Sequence, residues 1–167
     1  ELGHGNCKHL SEILSKAEKI SYYGLEISEL MQKQATENNS AATQANKASF
    51  HLYDGNKIPF SDNTFHKILT VNTIYFWEDA EAFIKEIYRV LKPGGRFAIG
   101  FADKDFMESL PFTAYGFDLY SRDRAYSLAE IAGFNVIDIS SYTEKIRSKA
   151  DFEIQEQKPS RSRSEVD

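Results

Sequence analysis

The chain has a single cysteine, Cys7, in 167 residues, which rules out an internal disulfide and suits a reducing compartment, so the cytoplasm is the expected location. No apolar run approaches the roughly 18 residues of a membrane span. Nor is there any excess of positive charge. Lys and Arg number 20 against 25 Asp and Glu, a net charge of −5, which argues against wholesale binding of nucleic acid or of an anionic membrane surface. The expected partner is a small molecule. No internal repeat is present, so a solenoid is not expected.

What is present suits a globular core: 41% of the residues are hydrophobic and 13% aromatic, enough for one domain. Leu10, Ile13, Leu14 and Ala17 recur at helical spacing and predict a helix over 6–19. Residues 20–27 read as a strand, and Ser28 as the N-cap of a second helix carrying Leu30 and Met31. The stretch 37–47 is polar and has little to bury. A short strand over 50–53 ends at Asp54-Gly55, the turn-rich 56–63 follows, and 65–71 is the next strand. Phe83, Ile84, Ile87, Val90 and Leu91 make 78–91 an amphipathic helix, stopped by Pro93-Gly94-Gly95 before a strand over 96–101. Residues 103–120 are aromatic-rich without a clear period. A short helix around Leu128, Ile131 and Ala132 ends at Gly133, and strands over 134–140 and 152–157 are expected to close as a hairpin. The domain is expected over 1–157, and the polar, Ser/Arg-rich 158–167 is expected to be a disordered tail.

Strands alternating with helices imply an α/β doubly wound, Rossmann-like, mostly parallel sheet, in which ligands sit at the carboxyl ends of the strands. The first such end is Glu1-Leu2-Gly3-His4-Gly5, a Gly-x-Gly loop directly after an acidic residue. Glu26 ends the following strand about twenty residues on, where a carboxylate can accept both hydroxyls of a ribose. Asp54 ends the next beside Gly55, which lets the backbone approach an adenine ring. The candidate cofactor-binding set is therefore Glu1, Gly3, His4, Gly5, Glu26, Ile27, Asp54, Gly55 and, at the end of the fourth strand, Asn72. A strand should precede Glu1, and it is largely missing from the chain. These residues are therefore expected to belong to a longer protein.

In order, the strings Glu1-Leu2-Gly3-His4-Gly5, Gly24-Leu25-Glu26-Ile27-Ser28, Asp54-Gly55-Asn56-Lys57-Ile58-Pro59-Phe60-Ser61-Asp62-Asn63-Thr64-Phe65 and Arg89-Val90-Leu91-Lys92-Pro93-Gly94-Gly95-Arg96 resemble class I S-adenosylmethionine-dependent methyltransferases. Within them the chain is similar to the small-molecule group typified by ubiquinone and menaquinone biosynthesis enzymes. A closing Ala132-Gly133-Phe134 is also typical, and the resemblance runs from Glu1 to about Ile139. It implies a seven-stranded sheet with an antiparallel last strand, S-adenosylmethionine across the first four strand ends, and methyl transfer to a small acceptor. Two residues depart from the family pattern. Cys7 stands where a third glycine is usual, which predicts weakened cofactor binding, and His66 stands where Asp is usual.

Tyr75, Phe76 and Trp77 follow the fourth strand, where they either surround a cationic sulfonium or pack in the core. Tyr115 and Tyr120 fall where the family often builds its acceptor pocket. His4, Cys7 and His9 are metal-ligating types at close spacing, yet a fourth ligand is missing, and Cys7 and His9 on a first helical turn should diverge. No metal site is expected. The sequence offers no convincing base, so no catalytic residue is assigned. Two other readings share the Gly loop: a nicotinamide-dependent oxidoreductase, which would want glycine where Lys8 stands, and a non-catalytic cofactor-binding or partner subunit of the same fold.

Overall fold

The computed structural model describes residues 1–147 and 153–165. The chain divides into two compact units, Glu1–Pro59 and Phe60–Asp167.

The first unit contains α1 (Leu10–Leu14), β1 (Tyr22–Glu26), α2 (Glu29–Asn38), α3 (Ser40–Gln44) and β2 (Ala48–Leu52). β1 and β2 pair in parallel, from Tyr22 against Ala48 to Glu26 against Leu52. Glu1–Gly3 continue this ladder on the other side of β1: Glu1 N donates to Tyr23 O (2.8 Å), Leu25 N to Glu1 O (2.9 Å) and Gly3 N to Leu25 O (2.8 Å). The core of this unit gathers Cys7, Leu10, Tyr22, Ala35, Ala48 and Phe50. Ser28 caps α2 as expected, its hydroxyl accepting from Met31 N. The long first helix is not formed. Only Leu10–Leu14 are helical, because the backbone at Cys7 is left-handed and the chain turns through Lys8 and His9 before it coils. In the polar stretch 37–47, Ser40–Gln44 make a helical turn that buries no residue, after Asn39, whose side-chain amide donates to Cys7 O and Ala35 O.

The second unit holds β3 (Phe65–Val71), a 3-10 turn at Ile74–Phe76, α4 (Ala80–Val90), β4 (Leu91–Phe101), α5 (Lys104–Glu108), a second 3-10 turn at Pro111–Ala114, α6 (Arg122–Ile131), β5 (Asn135–Arg147) and β6 (Glu153–Glu165). Its sheet runs β3-β4-β6-β5, with β3 and β4 parallel and β6 antiparallel to both neighbours. α4 buries Phe83, Ile84, Ile87 and Val90 on one stripe, and Asp79 caps it by accepting from Ala82 N at 2.9 Å. In its last turn Arg89 joins Glu86, Asp62 and the Phe60 carbonyl. Those two carboxylates hold the guanidinium charged and raise its pKa further. α6 ends in a Schellman motif: Gly133, at φ 92°, donates to Glu130 O and Phe134 N to Ala129 O. This physically explains the Ala132-Gly133-Phe134 string, because the left-handed glycine drops Phe134 onto Tyr88 and Phe97.

The tail expected to be disordered over 158–167 is instead strand as far as Glu165. Lys158–Glu165 belong to β6, pairing Phe101↔Ser160 through Arg96↔Glu165 with β4. Backbone amides and carbonyls make that ladder, so a polar composition does not prevent it. Of the hairpin turn expected over 142–151, residues 142–147 instead continue β5 as strand, while 148–152 and 166–167 lie outside the described residues.

Gly24 is the steric keystone of the first unit. A Cβ there would lie 2.5 Å from His4 Cδ2 and 2.9 Å from Phe50 Cδ1. Gly24→Ala is predicted to destabilise the chain by about 1–3 kcal/mol, the usual range for overpacking, read as a lower urea midpoint.

Candidate functional site

The Gly loop is a run of alternating left-handed residues, Gly3 (φ 66°), Gly5 (φ 56°) and Cys7 (φ 47°). Two are glycines, for which this conformation is unstrained. Cys7 accepts it at a cost of roughly 1–2 kcal/mol and sits fully buried, its Sγ 3.2 Å from the Tyr22 hydroxyl. Beside Gly5 the space that a side chain would fill is open. The loop is therefore shaped to leave room outside and to pack inside.

Glu26 ends β1 and is 7% exposed. Its Oε2 accepts from Gly5 N (2.8 Å), and its Oε1 from Ile27 N (2.9 Å) and Ser28 N (3.1 Å). A carboxylate offers about four acceptor positions, so the three amides fix it and leave capacity for a hydroxyl. Tyr53 N donates to Glu26 O (3.1 Å), joining the exits of β1 and β2. There Asp54 Oδ1 accepts from Asn56 N and Lys57 N, both at 2.8 Å. These donors hold the exposed carboxyl below its ordinary range. Ile27 is 63% exposed, and its Cγ2 lies 3.4 Å from where a Gly55 Cβ would stand. An apolar side chain thus stands between the two carboxylate-bearing strand exits.

Two predicted residues are turned elsewhere. The Glu1 side chain is 5% exposed and is held by Tyr22 OH (2.6 Å) and His9 Nε2 (2.8 Å). His4 is 4% exposed, in the gap left by Gly24, with Nδ1 2.7 Å from Gly5 O and its ring edge-on to Phe50. Its Nε2 is buried without a partner among the described residues. A glycine inside a strand often marks close approach, and Gly24 is the sequence signal for the His4 position. Nothing in the sequence pattern points to Tyr22. The divergence expected of Cys7 and His9 also fails, since neither is helical and both reach Glu1 or its partner.

Asn72 lies in the second unit at the end of β3, at φ 57°, its N–H donating to Gly100 O (2.8 Å). Of the three aromatics after it, Tyr75 and Trp77 are buried and Phe76 is exposed. Tyr75 OH bonds Ala102, Trp77 packs on Phe83 at 5.0 Å, and Phe76 packs on Phe117 at 4.8 Å. Tyr115 is exposed, while Tyr120 is buried with the Arg124 guanidinium 4.0 Å over its ring. Burial pushes the Tyr120 hydroxyl up to about 12. A cavity of about 480 Å³ in this unit is lined by Trp77, Asp79, Asp118, Tyr120, Arg124 and Leu128 among others, and none of the nine candidate cofactor residues lines it. His66 accepts from Lys92 Nζ at 3.0 Å, a surface contact beside the sheet.

A family profile described as "Methyltransferase domain" matches residues 1–99. The chain belongs to this family. It is a class I S-adenosylmethionine-dependent methyltransferase, and S-adenosylmethionine is its cofactor. Methyltransferase YdaC of Bacillus subtilis is 29% identical over 142 residues, covering 83% of this chain and 72% of that protein. The ubiquinone/menaquinone biosynthesis C-methyltransferase UbiE of Desulfotalea psychrophila is 49% identical over 47 residues, 28% of this chain but only 19% of its own length. Other curated relatives are likewise matched over about half of their length or less. A SAM-dependent methyltransferase structure from Aquifex aeolicus superposes with TM-score 0.75 at 23% identity, covering 99% of this chain and 80% of that one. At that identity the likeness shows a shared fold. The methyltransferase's own residues fit the cofactor: the open space at Gly5, the amide-fixed carboxylate of Glu26 and the Ile27 surface at Gly55 are chemically suited to a nucleoside.

Burial drives the His4 imidazole below its ordinary pKa, opposed by its bond to Gly5 and the charge of Glu26. The unfolded chain therefore takes up this proton first as pH falls through about 6.5, so the stabilisation is present above that value and lost below it. Urea unfolding of wild type is predicted to weaken across this window. His4→Gln should flatten the dependence, and an unchanged slope would count against the assignment.

Proposed function

We propose that the methyltransferase holds S-adenosylmethionine through Gly3, Gly5, Glu26, Ile27, Asp54 and Gly55, and transfers its methyl group to a small-molecule acceptor by in-line displacement. One observation carries the reading: a buried carboxylate at a strand end, held by the amides of Gly5, Ile27 and Ser28. In this role Glu26 accepts a ribose hydroxyl, Asp54 accepts from the adenine amine, and Ile27 contacts the flat ring. The cofactor supplies an activated methyl on a good leaving group. The protein's share is then mostly alignment and exclusion of water, which can account for a large part of a barrier. His4 does not serve as a base in this reading, for it is buried and committed to Gly5. A small acceptor is supported by the acidic net charge and by the likeness to an enzyme of ubiquinone/menaquinone biosynthesis.

Calorimetric titration with S-adenosylmethionine and, separately, with a nicotinamide dinucleotide tests the binding step. Glu26→Gln is predicted to weaken S-adenosylmethionine by about ten- to a hundredfold, the equivalent of one charged hydrogen bond at ~1.5–3 kcal/mol, with thermal unfolding as the check on folding. Binding of the dinucleotide alone would overturn the reading. Labelled methyl transfer into a metabolite extract tests the second step. Tight cofactor binding without labelled product would favour the non-catalytic subunit.

A further inference from the structure

Glu1, Cys7 and His9 bring a carboxylate oxygen, a sulfur and an imidazole nitrogen to within 4.8 Å of one another. These are the three donor types that bind zinc, and here they come from both ends of one loop. The Glu1 side chain is 5% exposed and Cys7 is fully buried, so this is an enclosed set of donors rather than a solvated acidic patch. His9 is the open side, with 45% of its side chain exposed, and an ion has a path past it. The Tyr22 hydroxyl lies between the other two, 2.6 Å from Glu1 Oε2 and 3.2 Å from Cys7 Sγ. There it orients the carboxylate, as an outer-shell partner does for a ligand.

We propose that Glu1, Cys7 and His9 form a site for a borderline-soft divalent cation, of which zinc is the type, with a water molecule completing the tetrahedron. In such a site bond lengths of about 2.0–2.3 Å put ligand atoms roughly 3.3–3.8 Å apart. The three donors therefore contract slightly, and the His9–Glu1 pair, now 2.8 Å apart, opens to admit the ion. Protons now occupy that space. On binding, the Cys7 thiol proton passes to solvent, leaving a thiolate on the metal, and neutral His9 carries its proton on Nδ1 so that the Nε2 lone pair bonds the ion. The ion then bridges Glu1 and Cys7, the two residues that bracket Gly3 and Gly5, and staples the Gly loop at its ends.

Cobalt(II) is the probe. The purified full chain, reduced and stripped with a chelator, is expected to take up one equivalent of Co2+ with a thiolate-to-cobalt charge-transfer band and intense tetrahedral visible bands. One equivalent of Zn2+ should bleach both, and should raise the unfolding temperature through preferential binding to the native state. Cys7→Ser should abolish the charge-transfer band. His9→Gln, at an exposed position that does not threaten folding, should weaken Co2+ by about tenfold or more. A wild-type chain with no charge-transfer band, or a His9→Gln chain with wild-type affinity, would overturn the site. None of these readouts involves S-adenosylmethionine, so their failure leaves the methyltransferase reading standing.

Discussion

The Gly5 amide on the Glu26 carboxylate is the contact around which the first unit is arranged. A carboxylate that is nearly sequestered from water needs donors in place of the lost hydration, and an unpaired one at this depth is strongly disfavoured. Glu26 finds them in backbone amides, one from the loop and two from the strand exit. The loop amide can point at Glu26 because Gly3 and Gly5 are left-handed. His4 secures that geometry from the other side by engaging the Gly5 carbonyl, and His4 has its place only because Gly24 carries no side chain. Residues distant in sequence thus form one dependency, with the shape of the loop as its outcome.

That chain of dependence explains which parts of the molecule are legible in the sequence. Features written in local chemistry read well: the Ser28 cap, the limits of β3 at Phe65 and Val71, and the buried stripe of α4. Each depends on residues within one or two turns of each other. Features that depend on a distant partner do not. Helical periodicity misleads after the Gly loop, because Leu10, Ile13 and Leu14 pack into the core of Tyr22, Ala48 and Phe50 from a helix of only five residues. The C-terminal strand carries no hydrophobic alternation to announce it. Its pairing with β4 is made by main-chain groups, which leave no residue signature.

The candidate site divides in the same way. Glu26 and Asp54 stand at strand exits, as their positions beside Ile27-Ser28 and Gly55 imply, and both carboxylates are ordered by nearby amides. Glu1 and His4 share the loop with Gly3 and Gly5, yet their side chains serve Tyr22, His9 and the Gly5 carbonyl. Adjacency in a motif fixes where a backbone goes, whereas the direction of a side chain depends on which cavity the rest of the fold leaves open. Gly24 opens one for His4. Tyr22 offers Glu1 a hydroxyl that burial keeps protonated, raising its pKa far above the ordinary phenol range.

Cys7 is where these constraints meet. The left-handed turn costs this residue roughly 1–2 kcal/mol relative to glycine, while burying its side chain regains an amount of the same order at ~0.8 kcal/mol per methylene-sized group. Cysteine is therefore nearly neutral for stability at a position that suits glycine. The side chain enters the core beside Leu10, Tyr22 and Phe50 and leaves the open space at Gly5 untouched. Burial pushes the thiol up to about 11, so in the absence of a metal it is a neutral packing group. The departure from the family glycine thus preserves the outer shape of the loop and changes only its inner face.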